Sequence, residues 1–170
     1  MVRTRRRSAT PSATTASGLS LTMTSSARST HTPMSMPVHV IHGQNEGPRL
    51  FICAAIHGDE INGIEILRRI IADEALGSLR GTLIAVPIVN VFGFIEQCRY
   101  LPDRRDLNRC FPGSPRGSLA SRLAHLFMKE IVSHCTHGID LHTASHHRAN
   151  LPQIRANLQH PETRRCALAF

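Results

Sequence analysis

Leu50-Phe51-Ile52-Cys53-Ala54-Ala55-Ile56-His57-Gly58-Asp59-Glu60 is the stretch on which the reading of this chain turns. Its first seven residues are apolar without interruption, the pattern of a strand buried on both faces of a sheet. Its last four supply an imidazole and two carboxylates where that strand ends. Ile61, Ile64, Leu67, Ile70 and Ile71 follow at helical spacing, while Arg68, Arg69, Asp73 and Glu74 fall elsewhere on the wheel. That arrangement predicts an amphipathic helix leaving the strand.

The same alternation extends in both directions. Upstream, residues 38–41 read as a strand and 43–48, from Gly43 to Pro48, as the turn after it. Downstream, Gly77 and Gly81 bracket the helix exit, and residues 82–89 form a near-continuous apolar run suited to a buried strand. A second helix is expected from Ser118 to about Cys135, with Leu119, Leu123, Leu126, Phe127 and Ile131 as its inner stripe. Gly138 then precedes a short strand over 139–141. Strands alternating with amphipathic helices predict an α/β domain: a mixed, mostly parallel twisted sheet with helices on both faces. Sites in such sheets gather where strands end. The polar stretch 90–117, rich in Arg and Pro, is long for a loop in a compact domain, which marks it as functional.

Composition narrows the function classes. The 170 residues carry a net charge of +8, but residues 1–36 hold five arginines and no acid, so +5 of that charge lies in one segment. With no Trp and one Tyr there is little from which to build a base-stacking surface, and a nucleic-acid partner is not expected. Ser or Thr occupies 16 of the first 36 positions, and apolar periodicity is nearly absent. This segment reads as a disordered tail whose removal leaves folding unchanged, with the folded domain beginning at residue 37. Its composition also matches an organelle transit peptide, an over-extended start or a dispensable tail. Five cysteines without a CxxC pair suggest neither a disulfide framework nor a thiolate metal site, and fit a reducing, cytoplasmic compartment. No apolar run is long enough for a membrane span.

His57 and Glu60, three residues apart at a strand end, can face one point. A catalytic zinc takes three protein ligands and leaves a fourth position for water, and His2Glu is a recurrent set. His142, in Asp140-Leu141-His142-Thr143, also ends an apolar strand and supplies a third ligand, with Asp140 placed to support it. His134, His137, His146 and His147 read as surface residues. Between these pieces lie Arg99-Tyr100 and Asp106-Leu107-Asn108-Arg109-Cys110-Phe111-Pro112-Gly113. An arginine fork with a neighbouring amide suits two-point recognition of a carboxylate.

HGDE, DLNRxFPG and DLHT, in this order, resemble the succinylglutamate desuccinylase and aspartoacylase family of the zinc carboxypeptidase superfamily, over about residue 37 to the end. The resemblance implies a zinc-dependent deacylase of N-acyl amino acids or similar small carboxylates. It places the Zn2+ ligands on His57, Glu60 and His142, and the substrate-carboxylate contacts on Asn108 and Arg109. It puts the group that polarises the scissile carbonyl on Arg99, although the spacing to Asp106 runs about two residues longer than the pattern and leaves Arg104 and Arg105 as alternatives. The family's general-base glutamate falls beyond Phe170, so the chain is expected to be an amino-terminal part of the catalytic domain, inactive or weakly active. Glu162 reads as a first-turn helix acid and is given no catalytic role. A peptide carboxypeptidase and a non-catalytic zinc-binding or basic interaction module are the competing readings.

Overall fold

The computed structural model describes residues 15–23, 34–145 and 148–170. Five strands form one sheet in the order β1-β2-β4-β3-β5. They are β1 (Thr15–Met23), β2 (Met34–His42), β3 (Asn45–Ala54), β4 (Arg80–Val86) and β5 (His137–Leu141). The sheet is mixed. β3 lies between β4 and β5 and runs parallel to both, while β2 is antiparallel to β4 and β1 antiparallel to β2.

Helices cover both faces. α1 (Asn62–Ile71) connects β3 to β4, and its buried Leu67 packs with Ile41, Ile52, Ala54, Leu83 and Ala85 on one face. Gly63 makes that approach possible, because a Cβ there would lie 2.7 Å from the Ala54 Cβ. After β4 the chain passes through α2 (Val91–Ile95) and α3 (Leu119–Glu130) to reach β5. Ala120, Leu123, Ala124 and Phe127 of α3 pack with Val38, Cys53, Ile84 and Val86 on the opposite face. The β3-to-β4 and β4-to-β5 connections therefore cross opposite faces of the sheet, and β3 and β5 flank the point where the winding reverses. Open α/β sheets bind ligands at the carboxyl ends of strands at such a point.

The structure corrects several local expectations. Residues 1–36 are not uniformly without structure, since Thr15–Met23 forms β1 and β2 begins at Met34. Met36 is 2% exposed and belongs to the core, so the folded unit cannot begin at residue 37. The physical signal is the alternation Leu19, Leu21, Met23 against Ser20 and Thr22, which pairs with β2 along its whole length. Residues 1–14 and 24–33 lie outside the described residues. The expected turn over 43–48 contracts to Gly43 and Gln44, because Gly47 and Pro48 are accommodated where the register shifts between Asn45 and Arg49. The strand expected through Ile56 ends at Ala54, the one expected through Val89 ends at Val86, and α2 lies in what reads as loop. All five cysteines are free thiols. Among the described residues no helix is long and apolar enough to cross a membrane.

Candidate active site

Ala55 turns the chain out of β3. It is fully buried and adopts φ of 50°, a conformation that costs an L-residue energy and that the surrounding contacts must hold. Those contacts are visible: the carbonyls of Ala54 and Ala55 accept from Val89 N–H at 3.1 Å and Asn90 N–H at 2.9 Å. Gly58 lies so close to the Gly93 backbone that no side chain fits there. His57 and Glu60 are thereby fixed in a tight turn, each only 3% exposed.

Glu60 is the centre of the site. Its Oε1 lies 2.6 Å from His57 Nδ1, and its Oε2 lies 2.9 Å from His142 Nδ1. Thr143 N–H donates to Oε2 at 2.8 Å, and Arg99 donates to Oε1 at 3.3 Å. Burial alone would raise the Glu60 carboxyl, but the hydrogen bonds from His142, His57 and Thr143 outweigh it and hold the group well below the usual carboxylate range. Each imidazole rests its far nitrogen on an aspartate. His57 Nε2 is 3.1 Å from Asp106, and His142 Nε2 is 2.6 Å from Asp140. The Asp140 hydrogen bond, and then that of Glu60, raise His142 to about 9.

The three expected ligands thus meet, with one donor atom from each lying within 4.8 Å of the others. Two imidazole nitrogens and a carboxylate oxygen are the donor chemistry zinc takes. A carboxylate on the remote nitrogen of each histidine is the support that metal-binding imidazoles use to fix tautomer and raise basicity. The donor set fits the metal.

Arg99 enters the same cluster, while Arg104 and Arg105 stand exposed in the loop and Arg105 reaches only to Asp103 at 4.0 Å. Asp106 links the two expected motifs. It accepts from Arg99 at 3.1 Å and, as the cap of the 3-10 turn Leu107–Arg109, from Asn108 N–H at 2.9 Å. Fully buried Leu107 anchors that turn. Asn108 and Arg109 therefore stand beside the cluster without touching its three candidate ligands, and Arg109 is exposed.

Two contributors were not singled out from the sequence. Asp106 carries His57, which no local spacing signals. Asn90, fully buried, caps α2 through Gly93 N–H and donates from Nδ2 to the Arg99 carbonyl at 3.4 Å, joining the end of β3 to the arginine. A cavity of about 380 Å3 adjoins the site at Thr143, lined among others by Asp59, Asn62, Ser145 and Arg148. Among the described residues, Asp59 Oδ1 is the buried side-chain oxygen without a hydrogen-bond partner. His146 and His147 lie outside the described residues.

Comparison with known proteins identifies the family. Residues 46–170 match the succinylglutamate desuccinylase/aspartoacylase catalytic domain. The chain is 33% identical over 109 residues to the N-alpha-acetyl-L-2,4-diaminobutyric acid deacetylase of Halomonas elongata, covering 64% of this chain and 32% of the relative. It is 34% identical over 116 residues to the succinylglutamate desuccinylase of Paraburkholderia xenovorans, covering 59% and 33%. It spans about a third of the length of these curated relatives. Among solved structures, the succinylglutamate desuccinylase/aspartoacylase of Rhodobacter sphaeroides superposes with a TM-score of 0.68 at 29% identity, over 78% of this chain and 40% of that one. The product-bound ectoine utilization protein EutE (DoeB) of Ruegeria pomeroyi gives 0.65 at 30%, over 76% and 40%. A metallo-carboxypeptidase of Pseudomonas aeruginosa shares the fold at 18% identity, with a TM-score of 0.52 over 65% and 32%. The chain belongs to the succinylglutamate desuccinylase/aspartoacylase family, a family of deacylating hydrolases whose fold is shared with a metallo-carboxypeptidase.

Proposed function

We propose that this chain carries the zinc centre and the carboxylate-binding turn of a deacylase that hydrolyses the amide or ester bond of an N-acyl amino acid or a similar small carboxylate. The observation that supports it most is the convergence of His57 and His142 on Glu60, with each imidazole backed by its own aspartate. His57, Glu60 and His142 would hold the zinc, which would lower the pKa of a water to about 7 and act as a Lewis acid toward the scissile carbonyl.

The remaining steps belong to side chains. Arg109 and Asn108 bind the substrate carboxylate and fix its distance from the scissile bond, which lowers the entropic part of the barrier. Arg99 stands beside Glu60 with a donor fork that can turn from the carboxylates to the carbonyl oxygen as charge develops on it. Asp106 and Asp140 keep the imidazoles aimed. The carboxylates bonded to the two imidazoles are not free to take a proton from water. Glu60, Asp106 and Asp140 each already accept from an imidazole, and Glu162 pairs with His137 and Arg165 at the opposite end of β5. We therefore assign the general base to none of these four carboxylates.

The test combines metal analysis with hydrolysis of N-acetyl and N-succinyl amino acids, set beside peptides with a free carboxyl terminus. A missing positioned base removes about 10²- to 10⁴-fold in rate, so slow turnover of the acyl amino acids is expected, with no preference for peptides. Faster cleavage of peptides would transfer the chain to the carboxypeptidase reading. Arg109→Ala should weaken binding of the acyl amino acid, observed by ligand NMR, while zinc content stays unchanged.

A further inference from the structure

At the far end of β5 from the candidate active site, a second group of ligand-capable side chains comes together. His137 opens β5, and Glu162 and Cys166 stand four residues apart on α4 (Pro161–Ala169). That spacing puts the carboxylate and the thiol on one helix face. One donor atom from each of the three lies within 4.8 Å of the others, and His137 Nε2 is 3.4 Å from Glu162 Oε1.

Hydrogen bonding around Thr136 decides which form of His137 faces the group. The Thr136 hydroxyl has a single proton, which it donates to the Arg49 carbonyl at 3.0 Å. It accepts from Arg49 N–H at 3.0 Å and lies 2.8 Å from His137 Nδ1, from which it accepts when Nδ1 carries the proton. In that tautomer His137 has its lone pair on Nε2. That lone pair faces a Glu162 oxygen to which Arg165 donates at 2.6 Å. The Arg165 hydrogen bond, the largest cause, lowers the Glu162 carboxyl and keeps it ionised. Two electron-pair donors thus oppose each other, and a cation between them makes the arrangement attractive. A tetrahedral ion with ligands at about 2.0–2.1 Å holds them about 3.4 Å apart.

We propose that His137, Glu162 and Cys166 bind zinc or a similar borderline divalent cation at a site separate from His57, Glu60 and His142, fastening α4 to the start of β5. Imidazole, carboxylate and thiolate together select such an ion over magnesium or calcium. His137 and Glu162 are 33% and 42% exposed, which leaves an entry path and room for a water as fourth ligand. α4 has no buried residue, so the ion supplies an attachment that packing does not. The inference does not depend on the activity proposed above.

Cys166 makes the site separable from the first, whose candidate ligands include no thiol. The metal-stripped 170-residue chain is treated with iodoacetamide with and without zinc, and alkylation is followed peptide by peptide. Saturating zinc should slow modification of Cys166 about tenfold or more, because a coordinated thiolate is not a free nucleophile. Cys98, also exposed, should react unchanged. Cobalt(II) should produce a near-ultraviolet sulfur-to-metal charge-transfer band that disappears in Cys166→Ser and weakens in His137→Ala. Equal alkylation of Cys166 with and without zinc would mean that only a proton occupies the gap, and would overturn the proposal. So would a charge-transfer band that survives Cys166→Ser.

Discussion

Replacing Asp106 should loosen zinc in two graded steps. One carboxylate oxygen receives both His57 Nε2 at 3.1 Å and Asn108 N–H at 2.9 Å, and the other receives Arg99 at 3.1 Å. In Asp106→Asn the amide oxygen keeps the first position, and its NH2 group then faces the Arg99 guanidinium, donor against donor. His57 remains oriented but loses the charge that makes its ligating nitrogen basic. In Asp106→Ala the ring loses its orientation as well, and the turn Leu107–Arg109 loses its cap. Removing the outer partner of a metal-bound histidine costs about 10- to 100-fold in affinity. The asparagine variant belongs near the lower limit, about 1.4 kcal/mol, and the alanine variant near the upper, about 2.8 kcal/mol. Competition against a chromophoric zinc chelator at fixed pH measures both. Affinities of both variants within about twofold of the unaltered chain would show that His57 does not depend on Asp106. Either His57 would then not be a ligand or Asp106 would serve only the turn.

Further outcomes follow from the same contacts. His142→Ala should lower zinc content by one ion per chain while the Cys166 site keeps its own; an unchanged total would remove His142 from the ligand set. In the metal-free chain, the His142 imidazole should titrate near 9 by NMR, and Asp140→Asn, which removes its largest cause, should lower that midpoint. Because its folded value is raised, the stability it contributes is fully present below its unfolded value of about 6.5 and is lost as pH rises through about 9. Met36→Ala should cost about 2–5 kcal/mol in denaturant unfolding, since Met36 is 2% exposed. Deleting residues 1–36 should accordingly destabilise the chain more than deleting 1–33, and equal stabilities would place Met36 outside the core.

The sheet, α1, α3 and the meeting of His57, Glu60 and His142 were legible because each rests on a strong local pattern. Periodicity set the elements, and strand ends placed the candidate ligands. What escaped depends on long-range pairing. β1 is a polar strand whose only signal is alternation over a few residues, too weak to stand out in a Ser- and Thr-rich segment. The start of β3 contains Gly47 and Pro48, whose turn preference is overridden by the neighbouring β4. Asp106 and Asn90 work through partners 49 and 9 residues away in sequence. Asp140, by contrast, was legible as the support of His142, because two residues along one strand put both side chains on the same side of the sheet.

The position of β5 in the sheet also fixes when a metal pocket can exist. Leu50 of β3 pairs with His137 of β5 across most of the domain's length, and the third ligand lies just past that strand. A nascent chain that has completed β3, α1 and β4 holds His57 and Glu60 in place with one corner of the coordination sphere missing. High-affinity capture must await the last and most non-local strand docking, the kind of contact that forms slowly because loop closure precedes its reward. At the proposed zinc centre, metal uptake during refolding would therefore act as a clock for β5 addition.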